Sequence, residues 1–237
     1  MTDADQTLVN GPVLHILEGP AGSGKTYLSA QIEALGFPVY RSSLPWRFPP
    51  PDAAPLASAQ NDFYKLSSAV FGLYASDRFV PIAVIDRCCL SQWVYKQLRL
   101  RSCSDPTIKR QNPPPGEVLA QLSELIAVTR REALLRAEHA VRLADCPIST
   151  VIWLMLPQLE VLDARRAQGR MEWKRKYPWP GQAERALYCE FAKVAMPPSD
   201  ITIRVIDSPD AEGEVIRAFV TLASLEKKLE DCNEVRR

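Results

Sequence analysis

The sequence predicts one α/β domain over residues 1–237, a parallel five-stranded sheet with helices on both faces. Three observations carry this prediction. Short apolar runs at 13–17, 37–41, 80–86, 149–156 and 201–207 alternate with longer stretches of helical character, the rhythm of strand, crossover and strand. The runs are rich in Val, Ile and Leu with little polar alternation, as strands buried on both faces are. The first of them leads straight into a glycine-rich turn, GPAGSGKT, and then into a helix. At 46% hydrophobic residues the chain can fill a substantial core. With 29 Lys and Arg against 28 Asp and Glu there is no surplus charge to recruit nucleic acid or an anionic membrane, so any basic site is local. No run approaches the roughly 20 apolar residues of a membrane helix. The polar start, MTDADQTLVN, carries no apolar leader, and the six cysteines form no CxxC pair, so a soluble, cytoplasmic protein with free thiols is expected.

Each element follows in order. After a polar tail over 1–10, VLHIL (13–17) is bounded by Gly-Pro and by the glycine-rich turn, which suits a buried strand, and a helix runs from about Lys25 to Leu35. FPVYR (37–41) gives a second strand. The prolines of SSLPWRFPPPDAAPLAS (42–58) oppose helix and predict an extended loop of functional length. From Asn61 to about Ser76, Phe63, Leu66, Val70, Leu73 and Tyr74 recur at the spacing of one helix face. VPIAVID (80–86) is a strand ending on Asp86 and Arg87, and CLSQWVYKQLRL (89–100) is a helix. The polar, Pro-rich residues 101–117 form an exposed excursion before a long helix from about Glu117 to Ala144. STVIWLML (149–156) is the fourth strand, a helix begins at Pro157, and the basic, aromatic GRMEWKRKYPWPG (169–181) belongs to a small lid over about 165–181. A helix over about Gln182–Ala195, the strand ITIRVID (201–207) and an amphipathic helix over about 210–230 close the chain.

Residues 19–26, GPAGSGKT, fit GxxxxGK[ST] without mismatch, with a strand before and a helix after. Gly19, Gly22 and Gly24 let the backbone turn its N–H groups inward at dihedrals that a Cβ opposes, and Ser23 continues the cradle. Lys25 reaches the terminal phosphates, Thr26 offers a hydroxyl to Mg²⁺, and the helix N-terminus adds its positive dipole end. The fold is therefore a three-layer P-loop NTPase fold, with ATP as the expected donor and Mg²⁺ as the expected metal. A carboxylate at the tip of a neighbouring strand, Asp86, can hold that metal or accept a proton, and the adjacent Arg87 can grip a second anion. The strand ends in Asp-Arg rather than Asp-Glu, and no NKxD guanine motif follows, which sets the chain apart from helicase-type ATPases and switch GTPases.

In these motifs the chain resembles the thymidylate kinase and deoxynucleoside kinase group. LEGPAGSGKT is similar to the group's opening strand and loop, including Glu18-Gly19. DRCCLSQWVYK (86–96) resembles the thymidylate kinase pattern DRYxxSxxAYQ at Asp86, Arg87, Ser91 and Tyr95, and LMLPQLEVLDARRAQGR resembles the strand and helix leading into the family's lid. The resemblance implies catalytic roles for Lys25, Asp86, Arg87, Arg166 and Arg170. It implies acceptor contacts from Arg41, Tyr74, Arg78, Arg87, Ser91 and Tyr95, with LYASDR (73–78) resembling the thymidylate kinase segment whose aromatic residue stacks on thymine and whose Arg binds its edge. The chain departs from the family at Pro20-Ala21, where thymidylate kinases carry an acidic residue, and at Arg41-Ser42-Ser43, where they carry Arg-Glu-Pro-Gly-Gly.

A nucleoside hydroxyl needs a nearby base, whereas a monophosphate brings about two negative charges that need fixed cations. Arg41, Arg47, Arg78 and Arg87 therefore favour a nucleoside monophosphate acceptor. The alternatives are a deoxynucleoside, or a hydroxymethylpyrimidine within DNA contacted by the basic residues around Trp173. Apolar helices leave room for a homodimer. His15, inside a strand, is expected to be a core histidine.

Overall fold

The computed structural model describes residues 11–41, 54–78, 80–102, 113–136, 145–168, 180–194 and 196–234. Its elements, in chain order, are β1 (Val13–Glu18), α1 (Lys25–Ala34), β2 (Val39–Tyr40), α2 (Ala54–Ala75), β3 (Ile82–Asp86) and α3 (Cys89–Ser102). There follow α4 (Pro115–Arg136), β4 (Ser149–Met155), α5 (Leu159–Gln168), α6 (Gly181–Val194), β5 (Ile201–Ile206) and α7 (Ala211–Glu234). The strands form one five-stranded sheet in the order β2-β3-β1-β4-β5, every pair parallel. β1 lies at the centre, so the turn that follows it emerges between β3 and β4, where the strand order changes direction. In open parallel sheets such a reversal opens the crevice in which ligands bind.

Period-2 alternation divides the core into two layers. From β1, Leu14 and Ile16 join Ala83 and Ile85 of β3 and Ile152 and Leu154 of β4 in a cluster covered by α2, α3, α4 and α6. Val13 and Leu17 face the other way, with Val84, Val151, Trp153 and Met155, and are covered by α1 and α7. The three-layer α/β architecture thus follows directly from the apolar runs.

The differences from expectation lie at element ends. α2 starts at Ala54, inside the segment expected to be extended, because Pro55 falls in the first turn, where its missing N–H has no intrahelical partner to lose. β2 keeps only two residues of its run, and α4 is described to Arg136. Among the described residues no helix is long and apolar enough to cross a membrane, and Cys88, Cys89, Cys146 and Cys189 are free thiols. Trp46, Arg47, Arg170 and the lid residues 169–179 lie outside the described residues.

Candidate functional site

The loop between β1 and α1 has the backbone that its glycines permit. Gly19, Gly22 and Gly24 sit at φ 143°, 91° and 87°, the last as the N-cap of α1. A Cβ on Gly19 would strike the carbonyl of Met155, and at Gly24 the left-handed φ of 87° strains any side chain and a Cβ would also displace the Glu212 carboxylate of α7. Lys25 is buried and folds back over the loop, its Nζ donating to the carbonyls of Gly19 (2.7 Å) and Pro20 (2.8 Å) and to Ser23 Oγ (2.8 Å). Burial, and then the Arg87 charge, pull its ammonium down to about 7, while Asp86, Glu184 and Glu18 act the other way. Those four side chains therefore converge electrostatically on the loop lysine. Thr26 stands exposed in the first turn of α1.

Asp86 ends β3, on the strand next to β1 and opposite Leu17. Its Oδ1 is buried and has no hydrogen-bond partner among the described residues. A buried carboxylate oxygen without a donor is costly, and a bound cation or a protonated ligand relieves that cost. The site thus fits a metal held through Asp86 near the loop. Arg87 takes a left-handed φ of 65°, rare for a residue with a side chain. Lys65 of α2 stabilises that turn: its Nζ donates to the carbonyls of Asp86 (3.1 Å) and Arg87 (2.6 Å) and pairs with Asp62 (2.9 Å). The Arg87 guanidinium lies over the Tyr95 ring and donates to its hydroxyl at 2.6 Å. Tyr95 in turn donates to Glu184 Oε1 at 2.9 Å. Glu184, on α6, also accepts from Ala21 N (2.9 Å) and pairs with Arg166, whose Nε donates to Ala21 O at 3.0 Å.

The structure thus brings together Lys25, Asp86, Arg87, Tyr95 and Arg166, and it places other expected residues elsewhere. Ser91 points inward, not towards an acceptor. Its hydroxyl donates to Glu18 and contacts Tyr188 OH at 3.0 Å, and Glu18 also accepts from Cys88 N at 2.7 Å, so the motif glutamate caps α3 from β1. Burial pushes the Glu18 carboxyl up, opposed by these bonds. Tyr74 is a core residue, 1% exposed, with its hydroxyl accepting from Arg130 Nε. Arg78 precedes β3 and so lies at the opposite edge of the sheet. There it lies over Phe37, pairs with Glu226 of α7 and donates to the carbonyl of Gly36. The Arg41 guanidinium is paired at 2.9 Å with Glu33 in the last turn of α1. Lys65 and Glu184 were not expected, because a charged residue inside an amphipathic helix ordinarily faces water.

Comparison with solved structures finds this chain similar to the YorR protein from Bacillus subtilis in complex with phosphorylated GDP, at 18% identity, over 91% of this chain and 98% of that one, with a TM-score of 0.47. It is also similar to deoxyadenosine kinase from M. mycoides with bound dATP, at 16% identity over 87% and 98% of the two chains, TM-score 0.47. A gluconokinase from Sinorhizobium meliloti 1021 aligns at 16% identity over 94% and 97%, TM-score 0.39. No protein-family model and no curated protein sequence matches the chain. Identity this low leaves the chemistry to be read from the residues themselves.

Proposed function

We propose that the protein is an ATP-dependent phosphotransferase whose acceptor is a (deoxy)nucleoside monophosphate. The observation that carries this reading is the tip of β3: a buried, unsatisfied Asp86 oxygen beside an arginine held in a left-handed turn, on the strand next to a complete phosphate loop. The loop amides and Lys25 hold the donor phosphates, with Lys25 exchanging its contacts to loop carbonyls for phosphate oxygens. Thr26 and Asp86 are the residues that would hold Mg²⁺, which would supply charge neutralisation during transfer. Arg87 supplies the fixed cation that an acceptor phosphate needs, and Tyr95 fixes its direction. Arg166, on α5 and bonded to the loop carbonyl of Ala21, is the candidate to stabilise charge on the transferred group, with Arg170 from the lid.

A thymine preference finds no support in Tyr74 and Arg78, which lie in the core and at the far edge of the sheet. The reading therefore names the monophosphate class and no base. The test is to incubate the protein with Mg²⁺, labelled ATP and a panel of nucleosides, nucleoside monophosphates and DNA carrying hydroxymethylpyrimidines. Label in monophosphates, lost in Lys25→Ala with the fold retained, is the expected result. Label confined to nucleosides would overturn the role given to Arg87, label confined to DNA would replace the acceptor, and full activity of Lys25→Ala would sink the proposal altogether.

A further inference from the structure

Glu184 is 1% exposed, yet its carboxylate gathers donors from three separate elements. Oε1 accepts from Ala21 N in the phosphate loop and from Tyr95 OH of α3, each at 2.9 Å, and Oε2 pairs with Arg166 of α5. The same Tyr95 hydroxyl accepts from Arg87 at 2.6 Å. Arg166 returns to the loop through Ala21 O, so both backbone polar groups of Ala21 are held by this ion pair. A carboxylate buried this deeply is stabilised only where its donors stay in place, which makes the geometry of the loop and the direction of the Tyr95 hydroxyl depend on one oxygen. The loop itself, Pro20-Ala21, carries no acidic side chain. The carboxylate against it is delivered by α6.

We propose that Glu184 is a positioning residue that couples the donor loop to the acceptor-side arginine, so that each ligand tightens the binding of the other. This rests on the reading of the loop as the ATP site and of Arg87 as the acceptor contact. When Ala21 shifts as the loop closes on phosphates, Oε1 shifts with it, and Tyr95 and Arg87 follow. By linkage the effect is reciprocal.

The test uses the full chain with Mg²⁺ and a non-hydrolysable ATP analogue, whose Kd is measured with and without a saturating acceptor identified in the labelling panel. Wild type should gain at least about fivefold in analogue affinity when acceptor is present. Glu184→Gln keeps the size and an acceptor oxygen but loses the charge that pairs with Arg166, and it should reduce that gain to less than twofold. Tyr95→Phe should do the same, and the double variant should lose nothing further, because both act on one path. Tyr95→Phe removes a hydroxyl and no buried charge, so it keeps the test decisive if Glu184→Gln does not fold. Absence of a gain in wild type, its survival in either variant, or losses that multiply in the double variant would overturn the proposal. A salt bridge that only supports the fold would lower the melting temperature and leave the gain intact. If wild type phosphorylates nothing in the panel, the kinase reading itself fails. A working kinase whose gain survives Glu184→Gln refutes the coupling alone.

Discussion

His15 sets an acid limit on the strand that carries the phosphate loop. It lies in β1, 1% exposed, its Nδ1 accepting from Trp153 Nε1 at 2.9 Å and its ring edge-on to Phe219. Burial, and secondarily the Arg204 charge, hold its pKa down at about 3 instead of 6.5. The folded state therefore keeps the imidazole neutral at a pH where the unfolded chain has already taken up a proton. Stability from this residue is intact above 6.5 and is lost as pH falls towards 3. A shift of this size corresponds to roughly 5 kcal/mol in full, of which about 2 kcal/mol is lost between pH 7 and pH 5. His15→Gln retains an acceptor for Trp153 and does not titrate. Urea unfolding followed by tryptophan fluorescence at pH 7 and pH 5 should show wild type losing about 2 kcal/mol more than the variant over that interval. Equal losses in the two proteins would refute the assignment of a neutral, buried imidazole.

Three other predictions bear on the site and its surroundings. Asp86→Asn should lower kcat by about two orders of magnitude or more, while the melting temperature holds or rises, because the variant removes the charge from a carboxylate whose buried Oδ1 meets no donor among the described residues; a fall in stability with unchanged kcat would make Asp86 structural. Gly24→Ala should abolish ATP binding measured by calorimetry, since φ 87° at the loop's last glycine opposes a Cβ; retained affinity would mean that the loop adapts more freely than its backbone indicates. Arg78→Ala should leave KM and kcat unchanged but cost about 1–2 kcal/mol in urea unfolding, because it removes the Glu226 pair and the contact with Phe37 at the edge opposite the loop; a raised acceptor KM would return Arg78 to the site.

The sheet was legible because its strands are buried on both faces and so read as apolar runs, and the loop was legible because its glycines, lysine and threonine occupy fixed positions. Arg78 shows where local pattern misleads. In a parallel sheet a residue that follows a strand and one that precedes it lie at opposite edges, so Arg78, four residues before β3, cannot share an edge with Arg87 just after it. That inference needed only strand order, and the likeness of LYASDR to a known segment obscured it. Lys65 and Glu184 were not legible in this way. Each sits in a helix whose pattern assigns charges to solvent, and only the packing of α2 on β3, and of α6 against the loop, shows them buried.

Buried carboxylates around the loop differ in one respect that bears on chemistry. Glu18 is satisfied by Cys88, Ser91 and the N-terminus of α3, and Glu184 by Ala21, Tyr95 and Arg166. Both hold backbone in place, and an exchange of ligands in the site would disturb the structure if either lost its donors. Asp86 has a buried oxygen that no described donor meets, although Lys65 stands close enough to bond the Asp86 carbonyl. The Lys65 ammonium pairs with Asp62 and donates to two main-chain carbonyls, not to this carboxylate. A fold that satisfies two acids fully and leaves one oxygen of a third without a donor among the described residues, at the tip of the strand beside its phosphate loop, has the charge arrangement that the proposed cation-assisted phosphoryl transfer calls for.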